Sequence, residues 1–324
     1  MKHLNELIKV AFCTTAVLFT SGAQAQQAYP DKTVRMIVPY APSGGADILA
    51  RAIGQKLTAK WGQTVVIENK AGAGSTIGTE MVSKSPADGY TLLMASPSHA
   101  INGALYKNLS YDPEKNFTGV VLAASGPLVL VVNKSSPLNS VHDLIMLARA
   151  KPGALNYASA GVGSSPHLAG ELFAMMANIQ MTQVAYKGTG PALTDLLGGQ
   201  VQAFFGPVPT LLEHLKAGRL KALGVTTTEP FLAIPQVPPI SHAVAGYSVL
   251  QWWGIVAPAQ TPLAIINKIN RDVAEIIHSA EMTQQLNAMG ATPGGEPPAY
   301  FDALIHAEVL KWTQVIQAAN LKAD

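Results

Sequence analysis

The stretch Ala158–Asp195, ASAGVGSSPHLAGELFAMMANIQMTQVAYKGTGPALTD, predicts a strand, a Gly/Ser loop, a helix, a second strand, a Gly-rich loop and a second helix. Pro166 directly follows the first loop, and proline is well suited to the first turn of a helix. Glycines let the backbone come close to a ligand, and a helix start offers unpaired N–H groups with a partial positive charge. The stretch is therefore typical of an anion site that uses no charged side chain.

The first 25 residues predict a secretory signal peptide. Lys2 and Lys9 form its basic end, residues 10–19 its apolar centre, and Ala25 ends a small-residue cleavage site. The apolar centre of about ten residues is too short for a membrane span, which needs roughly 20. Cleavage would also remove Cys13, the only cysteine. We therefore expect an exported protein that folds without disulfide bonds.

The composition excludes some classes of partner. The net charge is +2 and becomes about +1 without the signal peptide, so no basic stripe for nucleic acid is expected. No other segment of the sequence is long and apolar enough to span a bilayer. Only 13% of the residues are charged and 28 are glycine, which suits an α/β protein with buried parallel strands.

The first half of the chain predicts a βαβαβ unit. Strands are expected at 34–38, 64–67 and 90–95, helices at 47–60 and 77–83, and a polar loop at 96–99. Such a unit favours parallel pairing with right-handed crossovers. Its loops emerge at the carboxyl ends of the strands, where open α/β sheets bind their ligands.

The second half of the chain predicts a similar arrangement of strands and helices. An apolar segment at 119–133, interrupted by Ser125-Gly-Pro127, predicts a first crossing between two lobes, and 247–257 predicts the return. Between them a second βαβαβ unit is expected, with further helices at 141–150, 192–197 and 210–217 and strands at 201–205 and 222–226. Amphipathic helices follow from 262 to 321. We predict an α/β bilobed clamshell with two open, mostly parallel sheets and a ligand cleft between them. Lobe 1 would comprise 26–125 plus 251–324, and lobe 2 would comprise 126–250.

Several motifs carry a resemblance to a known family, and they follow one another along nearly the whole chain after the signal peptide. They are VPYAPSGGADILAR (38–51), ENKAGAGSTIG (68–78), DGYTLLM (88–94), YASAGVGSSPHL (157–168), YKGTGPALTDLL (186–197), LGGQV (197–201), WGIVAP (253–258) and GATP (290–293). The chain resembles the extracytoplasmic solute receptors of tripartite tricarboxylate transporters, also called Bug-type receptors. The resemblance implies a type II periplasmic-binding-protein fold that closes on a small carboxylate and presents it to integral membrane permease subunits.

In the first lobe the candidate ligand contacts follow the strands. The backbone amides of Ser43, Gly44, Gly45 and Ala46 precede a helix and form the candidate anion site. Asp47 either complements the helix dipole or accepts a hydrogen bond from a ligand hydroxyl or amino group. The remaining candidates are hydroxyl donors on the neighbouring loops: Ser75, Thr76, Ser96 and Ser98.

In the second lobe the candidates lie in and after the opening stretch. They are the hydroxyls and amides of Ser159, Ala160, Ser164 and Ser165, together with His167, Tyr186, Lys187 and Gly188. Several hydroxyls can satisfy one carboxylate because each donor rotates to suit. His167 is either a structural histidine or a ligand contact, and Lys187 either a solvated lysine or a partner of the ligand. Tyr186 is a candidate wall for an apolar or aromatic ligand.

Catalytic and cofactor motifs are weak. The sequence has no G-x-S-x-G elbow and no H-E-x-x-H, and Gly72–Gly78 departs from a dinucleotide fingerprint because its third glycine falls one position late. We expect the protein to need no cofactor and no metal. We also expect it to be a monomer. Two alternatives to the receptor remain open at this point: an exported hydrolase-like enzyme, and a sensor module that passes ligand occupancy to a membrane kinase.

Overall fold

Residues 29–318 and Leu321 are described by a computed structural model of the chain. The predicted signal peptide and its cleavage site lie outside these residues. All elements below belong to one compact unit that begins at Lys32.

The first βαβαβ unit is present close to its predicted bounds. It comprises β1 (Val34–Val38), α1 (Gly45–Trp61), β2 (Val65–Asn69), α2 (Thr76–Ser83) and β3 (Thr91–Ala95). β1 pairs in parallel with both β2 and β3. The expected polar loop at 96–99 is wrong in part, because α3 (Ser98–Leu105) begins within it. This helix buries Ala100, Ile101 and Leu105. Tertiary packing of these residues stabilises the helix, although the polar residues at its start favour a loop.

The second unit follows one long strand. It comprises β4 (Phe117–Asn133), α4 (Val141–Ala150), β5 (Asn156–Ser159), α5 (Ser165–Ala177), β6 (Thr182–Ala185), α6 (Thr189–Leu197), β7 (Ala203–Pro207), α7 (Val208–Lys216) and β8 (Leu220–Val225). β5 pairs in parallel with β6 and β7. The chain returns through β9 (Leu250–Pro258) and ends in α8 (Leu263–Ile277), α9 (Ala280–Ala288), the short β10 (Thr292–Pro293) and α10 (Pro298–Ala318).

β4 joins the two halves of the sheet. The strand order is β2-β1-β3-β9-β4-β7-β5-β6, with β8 and β10 also paired to β4. The parallel pairs lie within the two βαβ units, whereas β4 pairs antiparallel with β7, β8, β9 and β10. We call the group around β1–β3 and β9 the first half-sheet, and the group around β5–β8 the second half-sheet. The predicted lobe boundaries stay a prediction.

The expected interruption at Ser125-Gly-Pro127 does not break the strand. Residues 117–127 of β4 pair with β9, and residues 128–133 pair with β7 and β8. Pro127 therefore lies where β4 changes its partners, a position at which a strand tolerates the missing N–H.

Among the described residues, three apolar clusters pack the helices against the sheet. One packs α4 and α5 against the second half-sheet around Tyr157, Phe173 and Phe205. A second lies on the opposite face of that half-sheet, around Phe204 and Leu211. The third packs α10 on the first half-sheet, where the rings of Trp252 and Phe301 meet edge to face with centroids 5.4 Å apart. Within the described residues, no helix has both the length and the apolarity needed to cross a bilayer.

Candidate functional site

The loops at the carboxyl ends of the strands of both half-sheets meet around one small cavity, which we call the inner cavity. Its volume is about 30 Å³. Seven of the predicted residues line it: Gly44, Gly45, Ala46, Ser96, Ala160, Ser164 and Ser165. Tyr40, Pro166, Thr189, Pro207, Gln251 and Trp253 complete the wall. The structure thus brings the two predicted Gly/Ser loops face to face.

The start of α1 supplies unpaired donors to this cavity. Gly44 is its N-cap residue and has no side chain to cap the helix, and the first amide bonded back to it belongs to Ile48. The amides of Gly45 and Ala46 have no acceptor among the described residues. Because α1 is 17 residues long, its N-terminus also carries the full partial charge of a helix dipole. These two amides are the strongest candidate ligands for an anion.

Gly45 also has a steric reason to be glycine. A Cβ atom at this position would lie 2.8 Å from the Trp253 ring of β9. The helix start can therefore approach the crossing strand only without a side chain.

The start of α5 is less open to a ligand than its sequence predicts. The Ser164 hydroxyl caps the helix by accepting from the His167 amide at 3.4 Å and donates to the Gly161 carbonyl at 2.6 Å. Pro166 has no N–H. Only the Ser165 amide remains as a free donor in this first turn, so the second loop contributes fewer helix amides than expected.

Gln251 of β9 fixes the hydroxyl of Ser165. The Gln251 Nε2 group donates to the Trp252 carbonyl at 2.9 Å, so its Oε1 atom faces Ser165. The Ser165 hydroxyl donates to that oxygen. Both side chains are buried. A ligand can therefore take a hydrogen bond from the Ser165 amide, while the hydroxyl is held by the crossing strand.

A larger space adjoins the inner cavity, and we call it the outer cavity. Its volume is about 500 Å³, and Tyr40 and Ala160 line both cavities. Four more predicted residues line only this space, namely Ser75, His167, Tyr186 and Lys187. Gly72, Ala73, Gly74, Tyr106, Gly161, Val162 and Gln183 are among the others.

His167 is neutral in this environment. Burial lowers its pKa to about 4. Its Nδ1 atom accepts a hydrogen bond from the Gly163 amide at 3.2 Å, so the ring holds the loop before α5 in place. The geometry gives His167 a structural bond, although its ring also reaches the outer cavity.

Tyr186 presents its ring and not its hydroxyl to a guest. The hydroxyl donates to Asp195 Oδ2 at 2.7 Å. Burial, together with this bond to the Asp195 carboxylate, raises the pKa of Tyr186 to about 12. The ring remains a candidate apolar wall.

Asp47 lines neither cavity. Its buried carboxylate accepts from the Ser43 amide at 3.0 Å, from Asn69 Nδ2 at 2.9 Å and from the Arg51 guanidinium at 3.0 Å. Burial opposes ionisation, but these bonds outweigh it and lower the pKa of Asp47. The structure therefore gives Asp47 the task of fixing the loop before α1.

Five other predicted residues also lie outside both cavities. They are Ser43, Thr76, Ser98, Ser159 and Gly188. The hydroxyl of Ser98 bonds Tyr40 and Ser75 within a buried network, and that of Ser159 accepts from Gln183 Nε2 at 2.6 Å. These hydroxyls make hydrogen bonds that support the walls, and a ligand contact from either stays a prediction.

Direct contacts join the loops of the two half-sheets. The Ala41 amide donates to the Lys187 carbonyl at 3.0 Å. The Tyr106 hydroxyl lies 3.4 Å from the Val162 carbonyl. Both contacts flank the outer cavity, so the described form has the loops of the two half-sheets closed on each other.

Sequence reasoning missed part of the inner wall. Gln251 carried a usable signal, since it is a polar residue in an otherwise apolar crossing segment. Thr189 also carried a signal, because it begins a helix directly after a glycine, just as Ser165 begins a helix after a Gly/Ser loop. Pro207 carried no signal. Within the described residues, no group of three or more His, Cys, Asp or Glu side chains is placed to hold a metal ion.

Comparison with known proteins defines the class. The sequence model described as "Tripartite tricarboxylate transporter family receptor" matches residues 49–321. Protein BugT of Bordetella pertussis is 35% identical over 327 residues, covering 99% of each chain. The structure of R. palustris Rpa4515 with adipate superposes with a TM-score of 0.88 at 37% identity, over 91% of this chain and 99% of that one. MatC from Rhodopseudomonas palustris with bound malate gives 0.86 at 30%, over 89% and 100%.

The family that these comparisons show is one of periplasmic solute-binding receptors and not of enzymes. The chain belongs to the tripartite tricarboxylate transporter receptor family. The predicted α/β clamshell class is confirmed by these structures, and the hydrolase alternative is excluded by the family.

Proposed function

We propose that this receptor captures a small carboxylate between its two half-sheets and delivers it, as a monomer, to a tripartite tricarboxylate-type membrane permease. The observation that carries the proposal is the convergence of both predicted loops on the inner cavity, with the free amides of Gly45, Ala46 and Ser165 in its wall. No acidic side chain lines that cavity, and the nearby Asp47 carboxylate is paired with Arg51. Similar proteins are described with adipate and with malate.

One carboxylate group of the ligand would accept hydrogen bonds from the backbone amides at the start of α1. Its negative charge is favoured there by the helix dipole, whose effect in partly buried geometries reaches about 2 kcal/mol. Ser165 and Thr189 would close on the group from the second half-sheet. Closure then buries the carboxylate among fixed donors, and the permease would recognise the closed receptor.

We place the hinge of this closure at Ser125–Leu128 and Leu250–Trp253. In the structure these segments lie side by side, with Ser125 opposite Trp252 and Pro127 opposite Leu250. A closure that bends only these two strands leaves both βαβ units intact.

Titration calorimetry and thermal shift with the protein beginning at Gln26 test the proposal. Mono-, di- and tricarboxylates, including aromatic ones, are the probes, and a ligand should raise the melting temperature with dose. Absence of any carboxylate binding would overturn it. The full-length chain, expressed with export and analysed by mass, should have lost residues 1–25 and begin at Gln26.

Ser165→Asp is the site variant. A carboxylate at the start of α5 would repel the ligand, and we expect binding to fall at least about tenfold, which corresponds to about 1.4 kcal/mol. Ser279→Asp puts the same charge at the start of α9, where Ser279 is the N-cap and lines neither cavity, and should bind normally. Unchanged affinity in Ser165→Asp would remove this residue from the site.

A further inference from the structure

The loop before α2 has an unusual backbone. Its four consecutive residues Gly72–Ser75 have positive φ angles of 141°, 44°, 60° and 86°. Among the described residues, no other run of consecutive positive φ angles occurs. Glycine adopts such angles freely, but the Cβ atoms of Ala73 and Ser75 then lie too close to the following carbonyl oxygens. We call this segment the left-handed turn, and its two non-glycine residues make it costly to form.

The left-handed turn meets the loop before α5 backbone to backbone. A Cβ atom on Gly161 would lie 3.4 Å from the Cα of Gly74, and one on Gly74 would lie 1.8 Å from the Val162 carbonyl oxygen. The Tyr106 hydroxyl lies 3.5 Å from the Ala73 carbonyl oxygen and 3.4 Å from that of Val162. The turn therefore forms one side of a contact between the two half-sheets.

Asn102 of α3 holds the left-handed turn in place. Its Nδ2 group donates to the Gly74 carbonyl at 3.0 Å and to the Ser75 hydroxyl at 3.2 Å. Its Oδ1 atom is buried and has no hydrogen-bond partner among the described residues. A Cβ atom on Gly163 would lie 2.3 Å from this oxygen, so the loop of the second half-sheet covers it. A buried acceptor without a partner costs free energy, and separation of the half-sheets would give this oxygen access to water.

Two features that oppose closure thus lie together, the backbone of the left-handed turn and the covered Asn102 oxygen. Ala73 is exposed, so its methyl group gains no packing that would offset the cost of its backbone angle. We propose that the left-handed turn and Asn102 form a closing element that keeps the empty receptor open, because only ligand binding offsets both costs. The permease would then meet the empty receptor in its open form. This inference rests on the proposed function, because it needs the two half-sheets to close on a ligand.

Ala73→Gly lowers the cost of the turn, and a measurement without ligand detects the effect. Ser43 and Gly190 lie on opposite half-sheets, and a Cβ atom on Gly190 would lie 3.7 Å from that of Ser43. In the Ser43→Cys, Gly190→Cys protein, the rate of disulfide formation without ligand therefore measures the closed fraction. Ala73→Gly should raise this rate about three- to tenfold, since glycine removes the Cβ penalty but gains some freedom in the open form.

Carboxylate affinity gives a second readout. By calorimetry, Ala73→Gly should raise it by a similar factor, because a ligand binds only the fraction of protein that can close. Ala73→Val should lower both the disulfide rate and the affinity, since a β-branched residue adopts a positive φ only with strain. Because Ala73 also lines the outer cavity, the measurement without ligand decides between closure and a direct contact.

Gln260→Gly is the matched control. Gln260 has a φ of 69°, is exposed and lies after β9, outside both cavities. Its replacement should raise stability in urea but change neither the disulfide rate nor the affinity. Equal disulfide rates with and without Ala73→Gly would show that the open receptor keeps the same turn, and would overturn the inference while leaving carboxylate binding intact. Failure of every carboxylate to bind the unmodified protein would instead overturn the proposed function, and the rates without ligand would still report on the turn.

Discussion

Gly74 shows how much a single residue decides in this cleft. Its backbone φ is 60°, and a Cβ atom there would lie 1.8 Å from the carbonyl oxygen of Val162. Val162 belongs to the loop before α5, so this contact crosses from one half-sheet to the other. A residue with a side chain cannot occupy this position while the loops are closed.

Gly74→Ala should therefore weaken ligand binding through closure. Left-handed backbone costs an alanine about 1–2 kcal/mol, and the clash with Val162 adds a penalty only in the closed form. We expect at least about a tenfold loss of carboxylate affinity by calorimetry, because a ligand binds only the fraction of protein that can close.

Gly62→Ala is the matched control. Gly62 has a φ of 64°, and nothing lies within 4 Å of its added Cβ. It should lose similar stability in urea unfolding but keep its affinity. Equal affinities in the two variants would show that the Gly74–Val162 contact does not take part in binding.

At the scale of the elements, one threonine ties the two crossings together. The buried Thr226 hydroxyl accepts from the Leu128 amide at 2.8 Å and donates to the Val249 carbonyl at 2.6 Å. Leu128 lies in β4, and Val249 directly precedes β9. A single side chain at the end of β8 thus connects the outgoing and the returning strand at the proposed hinge.

Thr226→Val removes both bonds with little change in volume. It leaves a buried amide and a buried carbonyl with one partner fewer, which should lower the free energy of unfolding by about 1–3 kcal/mol. Thr226→Ser keeps the hydroxyl, so its loss should be smaller. Urea denaturation of both variants measures the difference, and equal losses would mean that the hydroxyl does not hold the crossings.

At the scale of the whole molecule, the proposed function requires the two half-sheets to separate and close. Ser43 and Gly190 offer a way to lock them, because a Cβ atom on Gly190 would lie 3.7 Å from the Cβ of Ser43. The same Cβ atom would lie 2.9 Å from the Pro42 carbonyl oxygen, so the loop before α1 must shift slightly to admit it, and the single variant Gly190→Cys measures that effect. A disulfide needs about 3.5–4.5 Å between these atoms. Cys13 is the only cysteine of the sequence and belongs to the predicted signal peptide, so an introduced pair has no competitor after cleavage.

The double variant Ser43→Cys, Gly190→Cys should bind its carboxylate normally when reduced. When the disulfide is formed in the absence of ligand, the protein should take up little or no carboxylate. When the disulfide is formed after the carboxylate has bound, the protein should retain the carboxylate through dialysis. Calorimetry and mass analysis of the dialysed protein check both results, and the two single variants serve as controls. Uptake at the normal rate by the oxidised protein would contradict closure by the two half-sheets.

Local sequence determined the elements of this protein and the place of its candidate site. The two βαβαβ patterns, the crossing segments and the Gly/Ser loops could be predicted because periodicity, turn residues and the carboxyl-end rule act over a few neighbouring residues. Gly44–Ala46, Ser164 and Ser165 were predicted in this way and line the inner cavity, which lies where the topology requires it.

Only the tertiary structure decided which of the predicted side chains line the cavities. Asp47, Ser98 and Ser159 point to partners within the walls, because hydrogen bonds from Arg51, Tyr40 and Gln183 hold them there. Gln251 and Trp253 enter the inner wall from a strand far along the chain. The direction in which a polar side chain points depends on which distant donors and acceptors the packing brings beside it. No local sequence pattern contains that information.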